Sequence, residues 1–167
     1  MNKLAMISLI AILPFAANAK IDLSAKASIG ESYDKDASRL MYVLKAYGAK
    51  GYKYAPNGDI KIVVNGDITQ TNGAGCDNGH NTYSIALNEL DEKGNQVQTI
   101  NVDDSNGCSK PSEAEKFNNL LQTWGGKLLQ GDCGAGHCWQ KITSIECTHY
   151  TGKTPKETFD SCTVEME

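Results

Sequence analysis

Ile142-Thr-Ser-Ile-Glu-Cys-Thr-His-Tyr150 and Thr158-Phe-Asp-Ser-Cys-Thr-Val-Glu-Met166 are the stretches whose reading decides the fold. Both alternate apolar and polar residues, as strands with one buried face do. A turn at Gly152–Lys156 lies between them. Centring that turn between Thr154 and Pro155 sets Cys147 opposite Cys162 and Ile145 opposite Val164. One face then carries Ile145, Cys147, Cys162, Val164 and Met166. The other carries Ser144, Glu146, Thr148, Thr163 and Glu165. A slip of one residue would mix the two sets, so the pattern specifies the register. Directly opposed strand residues lie within disulfide reach. Closing a loop of ~15 residues, a Cys147–Cys162 bond is worth about 3 kcal/mol in the chain-entropy model.

Working back from the hairpin, Trp139–Tyr150 is predicted as one strand. Before it lies Cys133-Gly-Ala-Gly-His-Cys138-Trp139, the densest cluster of chemically able residues in the chain. Before that, Ser112-Glu-Ala-Glu115 is a capping box opening a helix. Ala114, Phe117, Leu120, Leu121 and Trp124 form its apolar face, and Gly125–Gly126 ends it. An earlier segment repeats the order. Asp34 caps a helix whose apolar face is Ala37, Leu40, Met41, Leu44 and Tyr47, and Gly48 stops it. Strands follow at Ile60–Ile68, Thr82–Leu90 and Val97–Val102, with a long loop from Gln70 to Asn81 and a hairpin turn at Glu92–Asn95.

The expected fold is therefore α+β, two helices packed on antiparallel sheet and stapled by disulfides. The two helices match at an offset of 77: Ala37 with Ala114, Leu40 with Phe117, Leu44 with Leu121, Tyr47 with Trp124, Gly48 with Gly125, Lys50 with Lys127. Two tandem α-β-β units explain this; so does the general likeness of amphipathic helices that end in glycine. The expected divisions are a signal peptide at 1–19, an N-terminal segment at 20–33, a first unit at 34–103, a linker at 104–111 and a second unit at 112–167. From Gly48 to Ile60 the connection is five residues shorter than from Gly125 to Ile142. The cysteine loop thus reads as an insertion that distinguishes the second unit.

The leader is read from Met1-Asn2-Lys3, an apolar run to Ala17, and Ala17-Asn18-Ala19 as a small-x-small cleavage site. The apolar run is too short to span a bilayer as a mature helix. Export places the protein in the periplasm or outside the cell. The mature chain, Lys20–Glu167, carries 15 basic and 20 acidic residues, and Arg39 is the sole arginine. A net charge of −5 supplies no basic footprint for nucleic acid or for anionic lipid. All six cysteines lie in this part, an even count that reads as three disulfides in an oxidising compartment. Cys133–Cys138 closes the short loop, Cys147–Cys162 joins the hairpin, and Cys76–Cys108 remains by elimination.

No nucleophile elbow, zincin, Walker or dinucleotide motif is present. Zinc on Cys133, Cys138, Cys147 and His149, with His137 in reserve, would supply nitrogen and sulfur ligands, but the spacing matches no zinc module. A redox role for Cys133–Cys138 lacks the Cys-x2-Cys spacing, and calcium at Asn101–Gly107 fails the EF-hand pattern. No metal, cofactor or catalytic residue is assigned. His149 is expected to be exposed. Tyr47, Tyr52, Tyr54 and Tyr83 read as core and sheet-surface residues before a sugar platform. The leading expectation is a non-catalytic protein that binds another exported protein, as an inhibitor or an immunity-type protector. Its contact would be the pinned loop Gly134, Ala135, Gly136 and His137, with Trp139. Pinning a loop lowers the ordering cost of binding. The alternatives are a small secreted hydrolase and a structural cell-envelope protein; the Cys133–Cys138 loop itself reads as a mere staple before it reads as a contact.

A short disulfide-closed loop containing a histidine resembles the loop device of some periplasmic lysozyme inhibitors. That likeness covers six residues, and the histidine sits at a different place in the loop. Two small helix-plus-sheet repeats resemble the architecture of secreted β-lactamase-inhibitor proteins, none of whose sequence motifs occur here. Both are likenesses of device or architecture, and they imply inhibition without implying membership.

Overall fold

The computed structural model describes residues 34–71, 82–103, 110–123 and 137–167. The leader, segment 20–33, most of the linker, Trp124, Cys76, Cys108, Cys133 and Gly134, Ala135 and Gly136 lie outside them. The elements are α1 (Asp34–Ala46), β1 (Tyr52–Lys53), β2 (Ile60–Thr71), β3 (Thr82–Leu90), β4 (Gln96–Asp103), α2 (Glu113–Gln122), β5 (His137–Tyr150) and β6 (Phe159–Met166). A 3₁₀ turn, Pro155–Glu157, precedes β6. The fold is α+β.

All the strands form one antiparallel sheet in the order β4-β3-β2-β5-β6, with the short β1 on β2 beyond the end of β3. The meander β2-β3-β4 and the hairpin β5-β6 are joined by the β2–β5 ladder, which runs from Ile60↔His149 to Thr71↔His137. The hairpin takes the register set by its alternation: Cys147 faces Cys162 and Ile145 faces Val164. The Cys147–Cys162 disulfide is formed, with Cα atoms 4.1 Å apart.

Burial follows the pleat. Ile62, Val64 and Ile68 of β2, Tyr83, Ile85 and Leu87 of β3, Ile100 and Val102 of β4, and Ile142, Ile145 and Cys147 of β5 join one core. Both helices complete it from the same side. Ala37, Leu40, Met41, Val43 and Leu44 face in from α1, and Ala114, Phe117, Leu120 and Leu121 from α2. α1 packs chiefly on β6 and β5, while α2 packs on β3 and β4, and the helices touch each other. Each helix therefore covers strands from the other half of the sequence.

The helix ends follow their local chemistry. Gly48, at φ +106°, terminates α1 in a Schellman motif: Gly48 N donates to Lys45 O at 3.0 Å and Ala49 N to Leu44 O at 2.9 Å. Ser112 Oγ accepts from Glu115 N at 2.9 Å and so caps α2. In the turn before β4, Asp91 Oδ1 accepts from Lys93 N and Asn95 N, both at 2.9 Å. Those bonds, Asn95's first, hold the Asp91 carboxyl below its usual value. Gly66 lies beside the β2–β5 irregularity; a Cβ there would stand 1.9 Å from Ala86 O.

Strand bounds change from those expected: β2 runs on to Thr71, so Gln70 belongs to the ladder and not to the loop. β5 opens at His137, not at Trp139, so Cys138 is already in the ladder, opposite Gln70. β5 begins 77 residues after β2, and β6 begins 77 residues after β3. The two connections are thus equal in length, and the cysteine loop is no insertion. Counting to the first clean apolar alternation placed the strand start too late, because a register irregularity at Ile142–Ser144 breaks the alternation there.

Candidate binding surface

With both helices on one side, the other sheet face is open among the described residues. Along β5 it displays Trp139, Lys141 and Thr143, then, past the irregularity, Glu146 and Tyr150, with Thr148 between them on the same side but buried. Trp139 is 61% exposed between Cys138 and Gln140, which are 5% and 3% exposed. It stands opposite Thr69 of β2. The pleat explains its position: one residue to either side, the chain points into the core. Cys138 is disulfide-bonded, to a cysteine outside the described residues. The tryptophan therefore projects from a strand anchored by a covalent bond at the preceding residue.

The far end of the same face is also aromatic. Tyr52, Lys61, Thr148 and Ser161 lie in one row across β1, β2, β5 and β6. Tyr150 and Phe159 face each other across the hairpin, ring centroids 4.8 Å apart and tilted by 30°. Lys61 Nζ lies 2.5 Å from Glu146 Oε1 and 5.9 Å from the Tyr54 ring centroid. The Glu146 carboxylate holds the Lys61 ammonium above its usual range. Desolvation, followed by the neighbouring Tyr150, raises the Tyr54 hydroxyl. Between the two aromatic ends the face carries charged residues, Asp67 opposite Lys141 and also Glu146, beside an amide and hydroxyl cluster: Asn88 Nδ2 donates to Asn65 Oδ1 at 3.5 Å, and Thr99 Oγ1 to Asn88 Oδ1 at 3.2 Å.

Of the expected contact residues, Trp139 is on the surface and His137 opens β5 opposite Thr71. Gly134, Ala135 and Gly136 lie outside the described residues, as do Cys133 of the Cys133–Cys138 pairing and both members of the Cys76–Cys108 pairing. Tyr83 is buried and Tyr47 packs against the core, whereas Tyr54 is 44% exposed.

His149 departs from its expected exposure. It is half-buried on the core face, with Nδ1 2.8 Å from Oδ1 of the buried Asp160. The two are a directly opposed pair, two register positions from Cys147–Cys162. The sequence signal existed: extending the hairpin register two positions beyond Cys147–Cys162 pairs His149 with Asp160. Among the described residues no hydroxyl or thiol hydrogen-bonds to this histidine. Cys138 and Cys147 are both in disulfides and have no thiolate to offer zinc.

A second feature, a shallow cleft of about 210 Å³, lies at the sheet end around Lys50, Gly51, Tyr52, Glu89, Asp91, Val97 and Gln98. Glu89 forms its floor and is 2% exposed. It accepts from Lys50 N at 3.0 Å, from Gly51 N at 2.6 Å and from Gln98 Nε2. Its acceptors are occupied by the chain itself, which marks a structural tie.

No described helix is long and apolar enough to cross a membrane. A scan against protein-family models, a search of curated proteins and a search of solved structures returned no match.

Proposed function

We propose that this chain is an exported, non-catalytic binding protein that acts as an inhibitor or protector by engaging another exported protein. The observation that carries this reading is Trp139, 61% exposed on a strand and next to a disulfide-bonded cysteine. A large amphipathic ring held on a rigid element loses little freedom on association, and tryptophan is enriched among residues that dominate binding energy. The adjacent Gly134–His137 loop completes the contact, and the open polar face supplies the rim. The protein acts in the periplasm or outside the cell.

We also propose that the chain comprises two tandem α-β-β units, 34–103 and 112–167. Strand starts 77 residues apart support this. So does burial at both members of the pairs Ala37/Ala114, Leu40/Phe117, Met41/Asn118, Val43/Leu120, Leu44/Leu121, Ile85/Cys162 and Leu87/Val164.

The test of the binding role is a pull-down from periplasm and culture medium, with the mature protein as bait and mass spectrometry as readout. A stoichiometric complex is expected, weakened by Trp139→Ala at least ~30-fold, as a hot-spot loss of ~2 kcal/mol implies. A complex unaffected by Trp139→Ala and by replacement of residues 134–137 refutes the assigned contact. Turnover on a hydrolase panel, without a stoichiometric partner, refutes the binding role.

A further inference from the structure

We infer that the two halves of the chain are interlocked by exchange of their helices, so that a chain cut between β4 and α2 remains one folded particle. The inference stands on packing, independent of any partner and of whether the halves share an ancestor.

Three observations carry it. α1 precedes the meander in sequence but lies chiefly on β6 and β5. Close to that contact, Cys162 Sγ is 3.4 Å from Ala37 O. α2 precedes the hairpin but lies on β3 and β4. Among the described strands the sheet is continuous only through the β2–β5 ladder, which also joins the two halves. Taken alone, the first half would have its strands without the helix that covers them. Its own helix would present Leu40 and Leu44, both at most 1% exposed in the whole protein, to water. The second half would be left with Phe117 and Leu121, both fully buried in the whole, in the same position. Each half completes the apolar face of the other. This is the arrangement of a domain-swapped two-fold dimer, here within one chain. An exported protein built this way retains its structure after a proteolytic nick in the connection.

The interlock differs from a simple repeat array, in which each unit keeps its own helix and neighbours meet at an interface. In an array, a cut would release two bodies that keep their own secondary structure. In the interlocked chain, neither half holds its fold without the other.

The experiment uses the full mature chain with a protease recognition sequence placed between Asp104 and Lys110. After complete cleavage, native size-exclusion chromatography should give one peak containing both fragments in equal amounts. Far-UV circular dichroism should match the uncut protein, and thermal unfolding should remain a single transition. Leu44→Ala, which weakens α1 against β5 and β6, should raise the dissociation constant of the fragments at least tenfold. Phe117→Ala on α2 should act in the same direction. Fragments that separate on the column overturn the inference, as does a covalent link between them on a non-reducing denaturing gel. Retained association that is indifferent to both Leu44→Ala and Phe117→Ala also overturns it, because helix exchange would then not be what holds the halves together.

Discussion

Replacing Glu89 should destabilise the protein more than any surface substitution, by an amount that depends on what replaces it. The carboxylate is 2% exposed on β3 and gathers three donors from two other parts of the chain. Lys50 N and Gly51 N belong to the segment between α1 and β1, and Gln98 Nε2 belongs to β4. Gln98 Nε2 also reaches Gly48 O at 2.8 Å. Glu89→Ala strands both amides and removes the charge that the three bonds share. An unpaired buried donor costs ~1–3 kcal/mol, and partial burial places these two near the lower end. Adding the lost cavity lining, the expected destabilisation is about 3 kcal/mol. Glu89→Gln retains one carbonyl for the amides but turns an NH2 group toward that of Gln98, for an expected loss of about 1–2 kcal/mol. Urea denaturation of the mature protein measures both. The midpoint should fall in the order wild type, Gln, Ala, with the slope unchanged, since the buried surface is the same. At ~2–4 °C per kcal/mol for a chain of this size, thermal melts should show a drop of ~6–12 °C for Ala. If Glu89→Ala lies within ~0.5 kcal/mol of wild type, the carboxylate does not tie these segments together.

Asn118 is fully buried on α2, with neither Nδ2 nor Oδ1 hydrogen-bonded, at the position 77 residues after Met41. Asn118→Met should therefore stabilise by ~1 kcal/mol in a thermal melt, since an apolar side chain removes the unpaired polar atoms; a lower melting temperature would mean the amide is satisfied. Gly66→Ala should cost at least ~3 kcal/mol, because its Cβ would be driven to 1.9 Å from Ala86 O and the β2–β3 backbone must part; a chemical-denaturation midpoint near wild type would contradict the backbone path at that position.

What could be read from the residues alone was whatever a local period controls. The Cys147–Cys162 register followed from alternation about one turn, because a strand has period 2 and a wrong register would have buried Glu146 and Glu165. The helix faces followed for the same reason at period 3.6, although Val43, buried on α1, was not among the expected set. Failures came where the period breaks. At Ile142–Ser144 the irregularity hid the true start of β5, and with it the equality of the two connections. Pairings between distant segments leave no local trace: neither the β2–β5 ladder nor the crossing of helices to the opposite strands is encoded in any window of ten residues. Composition does not distinguish a helix that covers its own strands from one that covers its neighbour's, because both need the same apolar face.

Trp139 was expected at a contact as a neighbour of the pinned loop, whereas the physical reason for its exposure lies in the register of β5 against β2. Once that register is known, the consequence is definite. Cys138 points to the core and takes the disulfide, Gln140 points to the core two residues on, and Trp139 must point to the open face. A tryptophan at that position does nothing for the core: moving it inward would require the one-residue slip that also expels Cys138 and Ile68's partner Gln140 from their places. Packing among the described residues therefore gives no account of why the position holds tryptophan, whereas the proposed burial of its ring by another molecule would, and that asymmetry is the reason to seek the function on this face and not in the cleft around Glu89.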